Sequence, residues 1–440
     1  MNTIDPPQDS AVVNLSVDKI ATIACVLLIF TMGRFQLTDL LGVKRVVQFL
    51  LFIPILAYFL VRLPSFNHKK HLNPLIGLVL LMLCVNLFFH ADFLWIFDYI
   101  FSLVGLYVLL SVSRKNIIIG VRWMVSLACF FSSIALIQFI LLLFFPDLLV
   151  HTRLALLDDG TWTSINQNEG ASVVNSLHPI TLFGLSTNER LNVFGLEINR
   201  MRSFTSEPSL LVVYFLFPAM LGLFLNKPFW TKCSLFILFF SLLSFSGSVQ
   251  ISVIFAVVYI VSSFFFSTRF IFFSFPFIIL TLMLGILLIA GIEMFTAFDA
   301  GLASSQNTDF LAKGNSLIVR ASGIIEGVNE AINSPFGSGY LRPLPLSIIL
   351  SSSISAGWTG TILLLIFFYK LINRLDLKLK SVPERKNMLL GAAILFGIVC
   401  TIFLFNDYAM LNYVGIILLI FTYRLLDINT EQDKSDASSR

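Results

Sequence analysis

The stretch Arg200-Met201-Arg202-Ser203-Phe204-Thr205-Ser206-Glu207-Pro208-Ser209 runs straight into Leu210-Leu211-Val212-Val213-Tyr214-Phe215-Leu216-Phe217. Two guanidiniums and a carboxylate fall within eight residues, Arg200 to Glu207, of a chain otherwise poor in charge. From Leu210 to Ile292 the sequence is nearly unbroken apolar. An apolar run of about 18 residues or more is the mark of a membrane-spanning helix. The junction therefore reads as the lip of a site, where a water-filled cavity meets a membrane.

Composition extends that reading to the whole chain. Only 12% of the 440 residues are charged, 57% are hydrophobic and the mean hydropathy is +0.90. A soluble domain of this size carries roughly a quarter charged residues. A β-barrel is excluded, because barrel strands alternate in short segments instead of running continuously apolar. The expected fold is an all-α polytopic membrane protein with about 12 transmembrane helices. The apolar segments fall at about 19–33, 46–62, 73–90, 93–112, 121–145, 209–226, 231–247, 249–267, 270–292, 345–369, 388–405 and 408–425. Residues 1–18 are polar, without the basic start and small-residue cleavage site of a signal peptide. The net charge of +4 comes with no basic patch interleaved with aromatics, so no nucleic-acid partner is expected. Cys25, Cys84, Cys129, Cys233 and Cys400 lie in or beside apolar segments without metal-ligand spacing. They read as small packing residues, with neither a disulfide nor a metal site. No nucleotide-binding loop, HExxH or GxSxG motif is present, and no cofactor is expected.

Basic residues orient the helices. Arg62, Lys69 and Lys70 follow the second segment, and Arg114, Lys115 and Arg122 the fourth. Lys227 and Lys232 follow the sixth, Arg269 the eighth, and a run from Lys370 to Lys386 the tenth. If every segment spans, these loops share one side, which is then cytoplasmic, as are both termini. Arg34, Lys44 and Arg45 disagree, lying on the predicted outer side. The resulting divisions are 1–145 (membrane helices 1–5), 146–206 (a large outer loop), 207–292 (helices 6–9), 293–344 (a second large outer loop), 345–425 (helices 10–12) and a polar tail, 426–440. In the second loop, apolar residues recur at helical spacing from Ser316 to Ile332. Pro335 and Gly337 stop this helix, and it presents Arg320 toward the first loop.

Several residues offer chemistry, each beside a plainer reading. Arginine presents a planar, permanently charged fork to phosphate oxygens. Arg200, Arg202 and Arg320 suit a diphosphate-linked lipid, and equally suit lipid head groups or pairing with Glu189, Glu197 or Glu326. Glu207 can take a proton from an attacking sugar hydroxyl. It also fits a helix start, capped by Ser206 and followed by Pro208. His151 and His178 are candidate bases or acceptor contacts, or simply solvated loop histidines. His90 with Asp92 is a further pair of this kind. Asp98 is an acid inside the fourth segment, which points to function or to a carboxylate reaching the interface. The small residues from Ser347 to Gly360 allow close helix packing or line a groove for sugars.

Three features resemble the Wzy-type polysaccharide polymerases, within the O-antigen polymerase and ligase superfamily. Arg202-Ser203-Phe204-Thr205-Ser206-Glu207-Pro208-Ser209 resembles that family's arginine, aromatic and Glu-Pro-Ser stretch before a membrane helix. Arg320 to Gly339, closing with Ser334-Pro335-Phe336-Gly337-Ser338-Gly339, resembles its arginine-bearing outer helix with a Pro-x-Gly-x-Gly turn. The third is the layout of spans and two large periplasmic loops. The resemblance implies a membrane fold akin to the C-type glycosyltransferases. It also implies metal-independent transfer of a growing glycan from undecaprenyl diphosphate to a sugar hydroxyl of the next lipid-linked repeat unit. The location implied is the periplasmic face of a Gram-negative inner membrane, with inner-membrane lipid and a chain-length regulator protein as partners. Arg200 or Arg202 with Arg320 would hold the diphosphate, and Glu207 would orient or activate the acceptor. The ligases carry a His-Asn motif soon after the turn; residues 345–353 hold no histidine, which favours the polymerases. Relatives often carry an arginine after the seventh span's serines; Ser244 to Gln250 has none. An O-antigen ligase and a flippase for the same lipid remain the alternatives.

Overall fold

A computed structural model describes residues 9–32, 44–62, 73–89, 93–144, 211–244, 246–274, 327–338, 348–381, 385–404 and 413–427, and five strands between 153 and 201. The helices are α1 Asp9–Met32, α2 Lys44–Arg62, α3 Pro74–Phe89, α4 Phe93–Ser111 and α5 Arg114–Phe144. After the strands come α6 Phe217–Phe224, α7 Pro228–Leu243, α8 Gly247–Ser262, α9 Ile348–Ser381, α10 Arg385–Leu404 and α11 Tyr413–Leu425. Residues 268–274 and 327–333 are helical as well. Three helical stretches, Arg45–Arg62, Arg114–Ile137 and Ile348–Ser381, are long and apolar enough to cross a membrane. Seven shorter helices are also apolar.

Burial sorts the helices into two shells. Every residue from Tyr413 to Thr422 of α11 is buried, as is every residue from Leu211 to Phe224. A helix apolar all round belongs in the interior. Around α11 stand α1, α4, α5, α6 and α9. The outer shell shows large apolar side chains to its surroundings, among them Leu50, Ile53, Leu60, Phe130, Phe239 and Ile254. Exposed apolar area on this scale fits hydrocarbon as the neighbour.

One end of the bundle collects the basic loops. The Tyr107 hydroxyl donates to the Arg62 carbonyl, and Arg424 donates to the Val112 carbonyl at the α4–α5 junction. Asn387 of α10 donates to Asn226 between α6 and α7. Asp376 of α9, almost fully buried, accepts ion pairs from Arg269 at 3.0 Å and Lys380 at 2.9 Å. The residues preceding or opening five loops thus meet at one end, as the charge counts require. The α1–α2 hairpin fits the same axis. Arg62 pairs with Asp18 at that end, while Gln48 donates to the Thr31 carbonyl at the other, with Arg45 bonded to Gln48. Arg45 therefore does sit at the end opposite the other basic groups.

Between hydrocarbon-embedded helices the hydrophobic drive is weak, so close van der Waals packing at small residues holds them together. The tightest case is Gly397 of α10 against the Ser252 backbone of α8, where a Cβ would meet the Ser252 carbonyl. Ser252 and Thr401 share a 2.7 Å hydrogen bond beside it. Gly105 of α4 is also close-packed, but its neighbours are the Ile417 Cδ1 and Tyr413 ring atoms, side-chain ends that can shift. Gly397→Val is therefore expected to destabilise the bundle by about 3 kcal/mol, and Gly105→Ala by about 1 kcal/mol. Thermal unfolding in detergent measures both, and equal effects would remove the α8–α10 backbone contact from this account.

Candidate functional site

The outer end, opposite the basic loops, is built from three parts. The first is the segment between α5 and α6, predicted only as a large loop. It holds β-strands: β1 Arg153–Leu156, β2 Trp162–Ile165 and β3 Ser176–Leu177 form an antiparallel sheet in the order β2-β1-β3. β4 Leu185–Val193 and β5 Leu196–Met201 form a separate hairpin, and β4 lies beside α5. Arg200 is on β5. The pairing register shifts there: Asn199 faces Arg190 and Met201 faces Leu185, so residues 186–189 bulge opposite Arg200. Register irregularities of this kind commonly re-aim side chains at sites.

The second part is the chain that the Arg200–Ser209 stretch leads into. It enters the membrane bundle through a π-helical turn, Val212–Leu216, before α6 begins. All five residues of that turn are buried. A π turn adds a residue to the helical circuit and is frequent at functional sites. Behind it, α7 and α8 are 16 residues each, about 24 Å long against a hydrocarbon core of about 30 Å. Their connection at Ser244 and Ser246 is buried.

The third part is a helix break with a plug. α9 is interrupted at Gly357, whose φ of 67° and ψ of −176° are open to glycine and strained for any other residue. The break separates the Trp358 N–H from the Ile354 carbonyl, its partner four residues back in a continuous helix. Residues 334–338 supply both missing partners. Trp358 donates to the Pro335 carbonyl at 3.1 Å, and Ser338 N–H donates to the Ile354 carbonyl at 2.6 Å. The Ser338 hydroxyl adds a second bond to Ile354. Gly337, at φ 85°, lies so close that a Cβ there would be 2.5 Å from the Gly357 nitrogen. Ser352 and Ser353 both bond Thr361 across the break, at 3.0 and 2.8 Å. These buried hydroxyls are occupied within α9, which favours the packing role over a sugar groove for this serine run.

Residues 327–333 are helical and fall at the end of the helix predicted over Ser316 to Ile332. The sequence pattern put Val328, Ala331 and Ile332 on one face, and Gly327 and Glu330 on the other. Val328 and Ile332 are exposed, while Gly327 and Ala331 are buried, with Ala331 against Ile354 and Leu350. Ala331 packs on α9 because a small residue allows close approach, and the larger Val328 and Ile332 turn outward. Beside this junction opens a cavity of about 510 Å³, lined by Leu81, Cys84, Val85, Phe88, Phe89, Phe336, Ala356 and Thr359. Its wall is apolar, and it lies between α3, α9 and the plug.

Comparison with known proteins finds no matching family model, no matching curated protein and no matching solved structure. Of the candidate residues, Arg200 and Asp98 lie within the described elements. Asp98 is half-buried in α4, and its carbonyl accepts the Ser102 hydroxyl at 2.8 Å. Its neighbours Phe97 and Phe101 contact Phe49 of α2, which places it on the Arg45 side of the bundle. Arg202, Glu207, Arg320, His151, His178, His90 and Asp92 lie outside the described residues. The Gly357 break, the π turn and the apolar cavity were not anticipated from sequence.

Proposed function

We propose that this chain polymerises lipid-linked oligosaccharide repeat units into O-antigen or a similar surface polysaccharide, as an enzyme of the Wzy type. The observation that carries the reading is the plug of residues 334–338 in the α9 break. It ties residues 334–338 of the second outer loop to the helix bundle, next to an apolar cavity. A diphosphate-linked polyprenyl is amphipathic, so its site needs an apolar channel and cations at the channel's lip. The wall of Leu81, Phe88, Phe89 and Phe336 suits the prenyl chain. Helical spacing back from buried Ala331 by four, four and three reaches Gly327, Gly323 and Arg320, and in this proposal Arg320 shares that stripe.

In the proposed reaction the acceptor hydroxyl oxygen attacks the anomeric carbon of the donor glycan. The bond from that carbon to the diphosphate breaks, and the diphosphate leaves with the electron pair. Arg200 or Arg202 with Arg320 stabilises the charge that develops on it. Glu207, at the mouth of the chain leading into α6, takes the acceptor's proton. The setting is the periplasmic side of a Gram-negative inner membrane, with about twelve spans and both termini cytoplasmic.

A flippase for the same lipid is the second reading, favoured by one observation, since transporters build sites on interrupted helices. Against it, the cavity at the break is lined by apolar residues, where a transporter places groups for a polar substrate. Gene deletion separates the readings on a gel of the surface glycan. Loss of a polymerase leaves lipid core capped with a single repeat unit; bare core would point to ligase or flippase and end the polymerase proposal.

A further inference from the structure

We propose that the basic end of the bundle carries a binding site for a phosphate group on an anionic lipid, formed by the Asp427-paired Arg374 and Arg424 together with Arg114. The site stands apart from the apolar cavity beside the α9 break and does not rest on the polymerase reading. Arg374 Nη1 pairs with Asp427 Oδ1 at 2.9 Å, and Arg424 Nη1 with Asp427 Oδ2 at 3.3 Å. Arg374 stacks on the Tyr423 ring at 3.7 Å and donates to the Tyr423 carbonyl. Arg424 also donates to the Val112 carbonyl at 2.7 Å, which brings it to the start of α5, two residues from Arg114. Arg424 lies within Coulombic reach of both Arg114 and Arg374.

Two guanidiniums thus share the Asp427 carboxylate, and a third, Arg114, stands within Coulombic reach of Arg424 with no carboxylate paired to it among the described residues. An excess of two positive charges in a partly buried cluster is unfavourable without an anion. Two donors point to where that anion binds: Arg114 Nε and Arg424 Nε are shielded from solvent and have no hydrogen-bond partner among the described residues. The cluster is nevertheless reachable, since the Arg374 and Arg424 side chains are 28% and 20% exposed. Lys115 is exposed beside Arg114 and adds to the field. Guanidinium forks match phosphate oxygens in geometry, and basic pockets between membrane helices hold anionic head groups. Placed at the helix ends, the cluster lies where lipid phosphates lie.

The test uses the full chain in phosphatidylcholine nanodiscs, titrated with phosphatidylglycerol and followed by native mass spectrometry after gentle release. Arg114→Gln is the informative variant, because Arg114 makes no hydrogen bond to the protein among the described residues and its loss leaves the fold intact. It is expected to weaken phosphatidylglycerol retention about fivefold, while Lys232→Gln on exposed α7 leaves it unchanged. Inorganic phosphate supplies the second arm. Binding of lipid but not of millimolar phosphate identifies the lipid as the source; equal binding of phosphate, lost in Arg114→Gln, identifies a soluble phosphate. Retention in Arg114→Gln equal to that of the parent overturns the proposal. So does binding that appears only when residues 428–440 are removed, which would make the acidic tail, with Glu431, Asp433 and Asp436, the occupant in the intact chain.

Discussion

Gly357→Val is expected to unseat the second outer loop from the membrane bundle and to cost about 3 kcal/mol or more. Two terms contribute. A valine held at φ 67° and ψ −176° is in a glycine-only region, worth of order 1–3 kcal/mol. Its Cβ would also meet the Pro335 carbonyl, with the Phe336 carbonyl carbon at 2.6 Å, and these are backbone atoms that cannot rotate away. Overpacking of this kind adds about 1–3 kcal/mol. If α9 relieves the strain by closing into a continuous helix, Trp358 bonds Ile354 and the plug loses both partners. Gly337→Val is expected to act on the same contact from the other side, so the double variant should cost much less than the two single effects added. Thermal unfolding in detergent reads the stabilities, and protease cleavage within 334–338 reads the unseating. Additive losses, or a plug that stays protected in Gly357→Val, would show that the two glycines do not form one lock.

That lock also shows what sequence can and cannot reveal here. Apolar runs marked the helices because burial in hydrocarbon demands some 20 apolar residues whatever the neighbours are. Basic residues marked the ends, and the contacts of Arg62, Asn226, Arg269 and Arg374 bring those loops to one end. The Gly357 break was hidden because nothing local requires it. Gly357 sits in a run of serines that reads as a small-residue packing face, and the groups that complete it come from 20 residues upstream. The Pro335-x-Gly337 turn was visible as a helix stop, but its partner was not.

The strand hairpin was more legible. Leu191, Val193, Leu196 and Ile198 alternate around Phe194-Gly195, a two-residue connection ending in glycine. Arg200 is on the second of these strands, two residues past the last of the alternating apolar positions. The outward turn of Val328 and Ile332 was less legible. An apolar stripe in a membrane protein does not identify the packed face, because lipid accepts apolar side chains as readily as protein does. Burial of Gly327 and Ala331, with Ala331 against α9, reverses the usual inference: here the small residues mark the packed side.

If Arg320 belongs to that side, Arg320→Ala should abolish long glycan chains while the protein still inserts in the membrane at normal abundance. A fixed cation facing a departing diphosphate is worth on the order of a hundredfold or more in rate. A polymerase slowed that far yields single-repeat caps where the parent yields a ladder. Arg320→Lys retains the charge but loses the bidentate fork, so short ladders are expected. Arg200→Ala should shorten the ladder less, because Arg202 is available two residues away for the same phosphate. The pattern discriminates mechanism as well as residue. In a flippase, loss of a required arginine starves every later step, and bare core accumulates without single-repeat caps. In a polymerase the first repeat still reaches the core, because ligation needs no chain growth. Normal ladders from Arg320→Ala would remove this arginine from the site, leaving the helix that carries it as a strut between the second loop and α9.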